Sequence, residues 1–122
     1  MPYVEVLAPP APPDRKHWLA KSLTDGLMTA FGCAAQTITL FFLPVAPADY
    51  AHAGEIGTQD ASQRILLKVH AFRRSAEERR AAALALTWSV CIAYDVPGAD
   101  VAVYFLDREK DEVAHDSKLA SD

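Results

Sequence analysis

Hydrophobic positions along this chain change period twice, in the same order. Tyr3–Ala8 alternates apolar and polar residues and reads as a strand, with Pro2 at its head, one of the few strand positions open to proline. Pro9, Pro10, Pro12 and Pro13 then make a stiff connection that is neither helix nor inner strand. Asp14 is expected to cap a helix reaching about Phe31, in which Leu19, Leu23, Leu27 and Phe31 recur every four residues and Gly32 provides the stop. Gly26, inside that helix, suggests close packing on a sheet. Thr37–Leu43 is continuously apolar, rich in β-branched and aromatic residues and closed by Pro44, the pattern of a strand buried on both faces.

After a loop of Ala, Pro, Asp and Gly the pattern restarts. Residues Arg64–Phe72 read as a strand, and Ser75-Ala76-Glu77-Glu78 as a capping box opening a helix to about Ala93. Val96-Pro97-Gly98 stops it, and Val101–Leu106 alternates as a final strand. Corresponding points lie roughly 63 residues apart, within the few-residue uncertainty of such boundaries. The fold expected is α/β (α+β): two tandem β-α-β units, each a right-handed crossover, giving a four-stranded mixed sheet with both helices on one face. One domain is expected over 1–106, with pseudo-repeats at about 2–45 and 64–106, followed by a charged C-terminal tail over 107–122. The sheet's other face would be bare and apolar, which calls for oligomerisation.

Composition narrows the function. The chain has 122 residues, 51% hydrophobic and 23% charged, enough for one domain with a core. It has no apolar run of membrane-spanning length and no signal-peptide pattern, so a cytoplasmic protein is expected. The net charge of -4 gathers in the tail, where Asp107, Glu109, Asp111, Glu112, Asp116 and Asp122 outnumber Arg108, Lys110 and Lys118. A nearly neutral body offers no basic face, so neither nucleic acid nor membrane is expected as a partner. Cys33 and Cys91 lack CxxC spacing and read as reduced thiols. His17, His52, His70 and His115 lack ligand spacing, so no metal is expected; nor is a cofactor, since no nucleotide-binding motif occurs.

The sharpest chemical feature is Pro2. If Met1 is trimmed, the proline nitrogen becomes a free secondary amine fixed at a strand head, a rigid general base or acid. Otherwise Pro2 merely starts a strand. Arg73 and Arg74 stand at a helix start, an unfavourable place for cations, which suggests an anion there; simple solvated charges are the alternative. Tyr50 reads equally as a wall of a site or an interface anchor. Tyr104 reads as a strand aromatic or a proton donor, and His70 as structural or pocket-lining. Pro2 is expected among Phe41, Phe42, Tyr50 and Tyr104.

A strand beginning at Pro2, a β-α-β unit and its degenerate copy resemble the tautomerase superfamily, which includes 4-oxalocrotonate tautomerase, macrophage migration inhibitory factor, malonate semialdehyde decarboxylase and cis-3-chloroacrylic acid dehalogenase. Asp49–Ile56 resembles the family segment that supplies an aromatic wall and a β-hairpin reaching a neighbouring subunit, and Val69–Ser75 its arginine-bearing turn. The resemblance implies a cofactor-independent homotrimer in which Pro2 acts on a small-molecule carboxylate held by Arg73 and Arg74, with Tyr50, Tyr104 and His70 lining the site. The first turn lacks an arginine, Leu27 stands where the dehalogenases carry histidine, and Glu109 and Glu112 do not securely match their water-activating glutamate. Tautomerisation with Pro2 as base is therefore expected. The alternatives are decarboxylation or hydration and dehalogenation of a three-carbon acid with Pro2 as general acid, or a binding protein that kept only the fold.

Overall fold

The computed structural model describes residues 1–58 and 61–122; part of the loop expected before Arg64 lies outside the described residues. The elements in order are β1 (Tyr3–Ala8), α1 (Pro13–Phe31), β2 (Thr39–Pro44), β3 (Ala51–His52), β4 (Glu55–Ile56), β5 (Ile65–Phe72), α2 (Ala76–Tyr94), β6 (Val101–Arg108), β7 (Ala114–His115) and β8 (Lys118–Leu119). The main sheet runs β2-β1-β5-β6, with β1 parallel to β2, β5 parallel to β6, and the two units joined antiparallel through β1 and β5. This is the mixed four-stranded α+β sheet that the tandem pattern implies. Val4, Val6 and Ala8 of β1 and Ile65, Leu67 and Val69 of β5 meet Leu19, Leu23 and Leu27 of α1 and Leu86 and Val90 of α2 in the core. Among the described residues no helix is long and apolar enough to cross a membrane.

The copy is strict. Pro13–Phe31 and Ala76–Tyr94 are displaced by 63 residues at both ends. The same displacement carries hairpin β3–β4 onto β7–β8, and even their closing bonds correspond: Gly57 N to Tyr50 O at 2.8 Å, and Ala120 N to Val113 O at 2.9 Å. Asp107 and Arg108 of the charged segment 107–122 thus extend β6, and the rest repeats the hairpin that follows β2.

Local details depart from expectation in three places. Asp14 does not cap α1: Pro12 takes the cap position without a side-chain bond and Pro13 starts the helix, where a missing N–H costs nothing. The capping box of α2 does form, with Ser75 Oγ accepting from Glu78 N at 3.1 Å and Glu78 Oε1 from Ser75 N at 2.9 Å. Gly26 faces the other helix, not the sheet; a Cβ there would sit 3.0 Å from Ala85 Cβ. Beside it, the hydroxyls of Ser22 and Ser89 share a 2.6 Å hydrogen bond across the same seam.

β2, finally, is not buried on both faces. It is an edge strand whose Phe41 and Leu43 are 51% and 40% exposed on the side away from the helices. That side is mixed, not wholly apolar. Strand alternation brings Glu5, Lys68 and His70 there together with Tyr3, Leu7, Phe41 and Tyr104, and Glu5 lies directly opposite Lys68.

Candidate active site

Pro2 is buried at the head of β1, on the helix side with Val4, and its carbonyl accepts from Thr39 N at 3.2 Å. Met1 projects from it into a cavity of about 300 Å³, lined also by Tyr3, His70, Phe72, Arg108, Glu112 and Val113. Burial, and next to it the Arg74 guanidinium, holds the chain's amino group below its ordinary value, against a smaller upward push from Cys33. Arg74 therefore stands near the amine. It is fixed by a 2.9 Å bond from Nη1 to Phe72 O and by lying 4.8 Å above the Phe31 ring.

Arg73 behaves differently from its neighbour. Its Nη1 lies 3.3 Å from Asp107 and its Nη2 4.0 Å from Glu109, with 67% of the side chain exposed. Asp107 also accepts from Arg79, so the end of β6 ties down the start of α2.

His70 is the most enclosed polar residue at the cavity. Its Nε2 is 2.6 Å from Glu5 Oε2, its Nδ1 is 3.2 Å from Arg108 Nη2, and the Tyr3 ring stacks on it at 4.1 Å and 5°. Glu5 and Arg108 were not singled out in the sequence. Strand parity was the signal available: Glu5 pairs with Lys68 and Arg108 with Phe72, so both fall diagonal to His70 on one face.

Tyr50 and Tyr104 do come together, but not around Pro2. They line a separate cavity of about 480 Å³ at the far end of β1, with Leu7, Val45, Arg64 and Ile65. There Tyr50 Oη accepts from Arg64 N at 3.1 Å. Phe41 meets Tyr3 edge-on at 6.1 Å, while the Phe42 ring lies under Lys16 at 5.2 Å, so the expected aromatic cage is not assembled. The reason is the internal repeat. The 63-residue displacement turns Pro2 into Ile65, Leu7 into His70, Val45 into Arg108 and Tyr50 into Val113. Within one chain Tyr50 thus stands on the side of Ile65, and Val113 holds the matching place beside Met1.

A further groove, about 860 Å³ between α1 and α2, is lined by Gly26, Ala85, Leu84 and Trp88 and shares no lining residue with the cavity of Met1.

No protein-family model matches the chain, and no curated protein does. Solved structures do. A wild-type fused 4-OT that forms a symmetric trimer is 26% identical over 98% of this chain and 96% of its own, with a TM-score of 0.86. The protein Pt0534, inactivated by 2-oxo-3-pentynoate, is 19% identical over 96% and 94%, with a TM-score of 0.85. N1, a member of the cis-3-chloroacrylic acid dehalogenase family, is 15% identical over 96% and 82%, with a TM-score of 0.80. With these likenesses spanning nearly the whole chain, and the sheet order and internal repeat described above, the chain has the fold of the tautomerase superfamily.

Proposed function

We propose that the chain is a tautomerase in which Pro2, freed by removal of Met1, is the general base, and in which Arg74 holds the carboxylate of a small enol or 2-oxo acid. The observation that carries this is the depressed amino group at the head of β1, lowered by burial and by Arg74. Pro2 is itself buried beside that place, so an amine there would meet the same kind of burial and the same cation, and a base must be unprotonated near neutral pH. Arg74 serves twice, as an anion site and as the cation that keeps the amine neutral. Arg73, engaged by Asp107 and Glu109, stands at the rim, exposed. Burial and a nearby cation both favour the neutral amine, and so the base over an acid role in decarboxylation or hydration.

The test is ketonisation of 2-hydroxymuconate or phenylenolpyruvate by protein whose intact mass shows Met1 removed. Comparable rates for wild type and Pro2→Ala would refute the reading. A protein that keeps Met1 in its native host would instead be a binding protein, its Pro2 nitrogen an amide. 2-Oxo-3-pentynoate, which inactivates the structurally similar Pt0534, gives an independent check, since a free amine adds to its alkyne. We also infer a homotrimer, as in the fused 4-OT relative, because the sheet face bearing Phe41, Leu43 and Tyr104 is uncovered. Light scattering should give the mass of three chains.

A further inference from the structure

The internal copy supplies a control for the outer side of the helices. At the positions that join the core the two helices agree: Leu19, Leu23 and Leu27 of α1 correspond to Ala82, Leu86 and Val90 of α2, all buried. On the solvent side they part. Lys21, Asp25 and Thr29 are exposed on α1, as a solvated face requires. The same places on α2 hold Leu84, Trp88 and Ile92, which are 76%, 59% and 48% exposed. These three recur every four residues, so α2 carries a second apolar stripe that the fold does not ask for. Trp18 extends it across the seam, its ring 6.0 Å from that of Trp88. A helix apolar on two sides belongs in contact on two sides, and the homotrimer inferred above covers only the opposite, sheet face.

The groove beside the stripe defines the chemistry of what fits there. Between its walls lie the small residues Gly26, Ala30, Ala85 and Ser89, which leave a trough for the side-chain ridge of another helix. Ser89 Oγ donates to the Ala85 carbonyl at 3.2 Å, so in the 2.6 Å pair of hydroxyls it is Ser22 that donates, and neither has a hydrogen to spare. Asp25, Glu77 and Glu78 add carboxylates, and no lysine or arginine lines the groove. Lys21 reaches Asp25 from outside it, at 3.5 Å. The polar side chains presented there, Thr29 and the Trp88 indole apart, are therefore acceptors. A second copy of this chain would enclose two sets of these carboxylates in one interface, whereas a cationic partner meets one sign of charge.

We propose that this stripe and groove dock an amphipathic helix of a partner protein, its apolar ridge laid along Leu84, Trp88 and Ile92 and its lysines or arginines against Asp25, Glu77 and Glu78. The proposal does not rest on the tautomerase reading, and its failure leaves that reading untouched.

Trp18 and Trp88 are the chain's two tryptophans, so their emission reports on the stripe itself. The probe is a leucine–lysine peptide of about 18 residues with leucines at i, i+3, i+4 and i+7, added to the full chain. It should move the emission to shorter wavelength and saturate, and a leucine–glutamate peptide of the same pattern should not. Leu84→Gln, at a position outside the core, should weaken binding about 10- to 100-fold, the worth of one buried leucine. Trp88→Gln, followed by calorimetry, should do the same. Asp25→Asn combined with Glu77→Gln should weaken binding less and flatten its dependence on salt. Equal binding of both peptides, binding that ignores Leu84→Gln, or an emission that neither peptide moves overturns the proposal. Two other occupants would overturn it as well. A molar mass that rises with concentration in wild type but not in Leu84→Gln assigns the stripe to a second copy. An emission shift with phosphatidylcholine vesicles that Leu84→Gln abolishes assigns it to a lipid surface.

Discussion

The two cavities at opposite ends of β1 and β5 occupy the same place in two copies of one unit, yet only one of them stands beside the chain's amino group. At one end stand the chain's amino terminus, Arg74, His70 and Arg108; at the other, the same positions hold Arg64 and Ile65, Ala11, Leu7 and Val45. The framework is copied to the residue, so the difference lies in a handful of side chains and in one covalent fact. A chain has one N-terminus, and Ile65, inside the chain, has an amide nitrogen that is no base. Duplication kept the architecture twice and the amine once.

The sharpest way to break this contrast is to remove the amine. Pro2→Ala should lower kcat/KM for enol ketonisation by about 10²- to 10⁴-fold, the usual contribution of a positioned general base. Labelling by 2-oxo-3-pentynoate should add one reagent per chain by intact mass, at residue 2 and not in the cavity of Tyr50. Next in size is the pH profile. With the amine as base, kcat/KM rises with pH through an amine pKa below its ordinary value and then levels off. Arg74→Ala removes the cation that stands near the amine, so the rising limb should move to higher pH, beyond any loss in KM. A limb that stays in place would separate Arg74 from the amine.

Sequence alone disclosed the duplication, because hydrophobic period and turn residues are local properties that each half states twice. The capping box at Ser75 and the stop at Gly32 were legible for the same reason. Asp14 was misread because a proline at the first helical position competes with any side-chain cap. The hairpin within 107–122 was hidden by its charge, for it shares only the Ala-His pair with Asp49–Ile56. The candidate site was legible where it depends on one residue's place in the chain, as with Pro2 at the head of β1, and illegible where it depends on register. Glu5, His70 and Arg108 sit on three different segments, and only strand pairing makes them neighbours. Within one chain Tyr50 lies at the far end of β1 from Pro2, and the residue that its motif's copy sets beside Met1 is Val113.

Smaller effects sharpen the comparison of the helices. Gly26→Val would drive methyl groups into Ala85 and should cost about 1–3 kcal/mol in chemical denaturation, the range for overpacking. Ser75→Ala removes a cap that α1 lacks and should cost about 1 kcal/mol, with a matching drop in denaturant midpoint.

The seam between those helices has a consequence for the halves themselves. Ser22 corresponds to Ala85 and Gly26 to Ser89, so the pairs Ser22–Ser89 and Gly26–Ala85 are one contact made twice across a pseudo-twofold axis, with unlike occupants. Two copies of the first half would set Ser22 against Gly26, and two of the second would set Ala85 against Ser89; neither can form the hydroxyl pair. The halves have thus become a lock and its key, each spoiled as a partner for itself and kept for the other by sharing one chain.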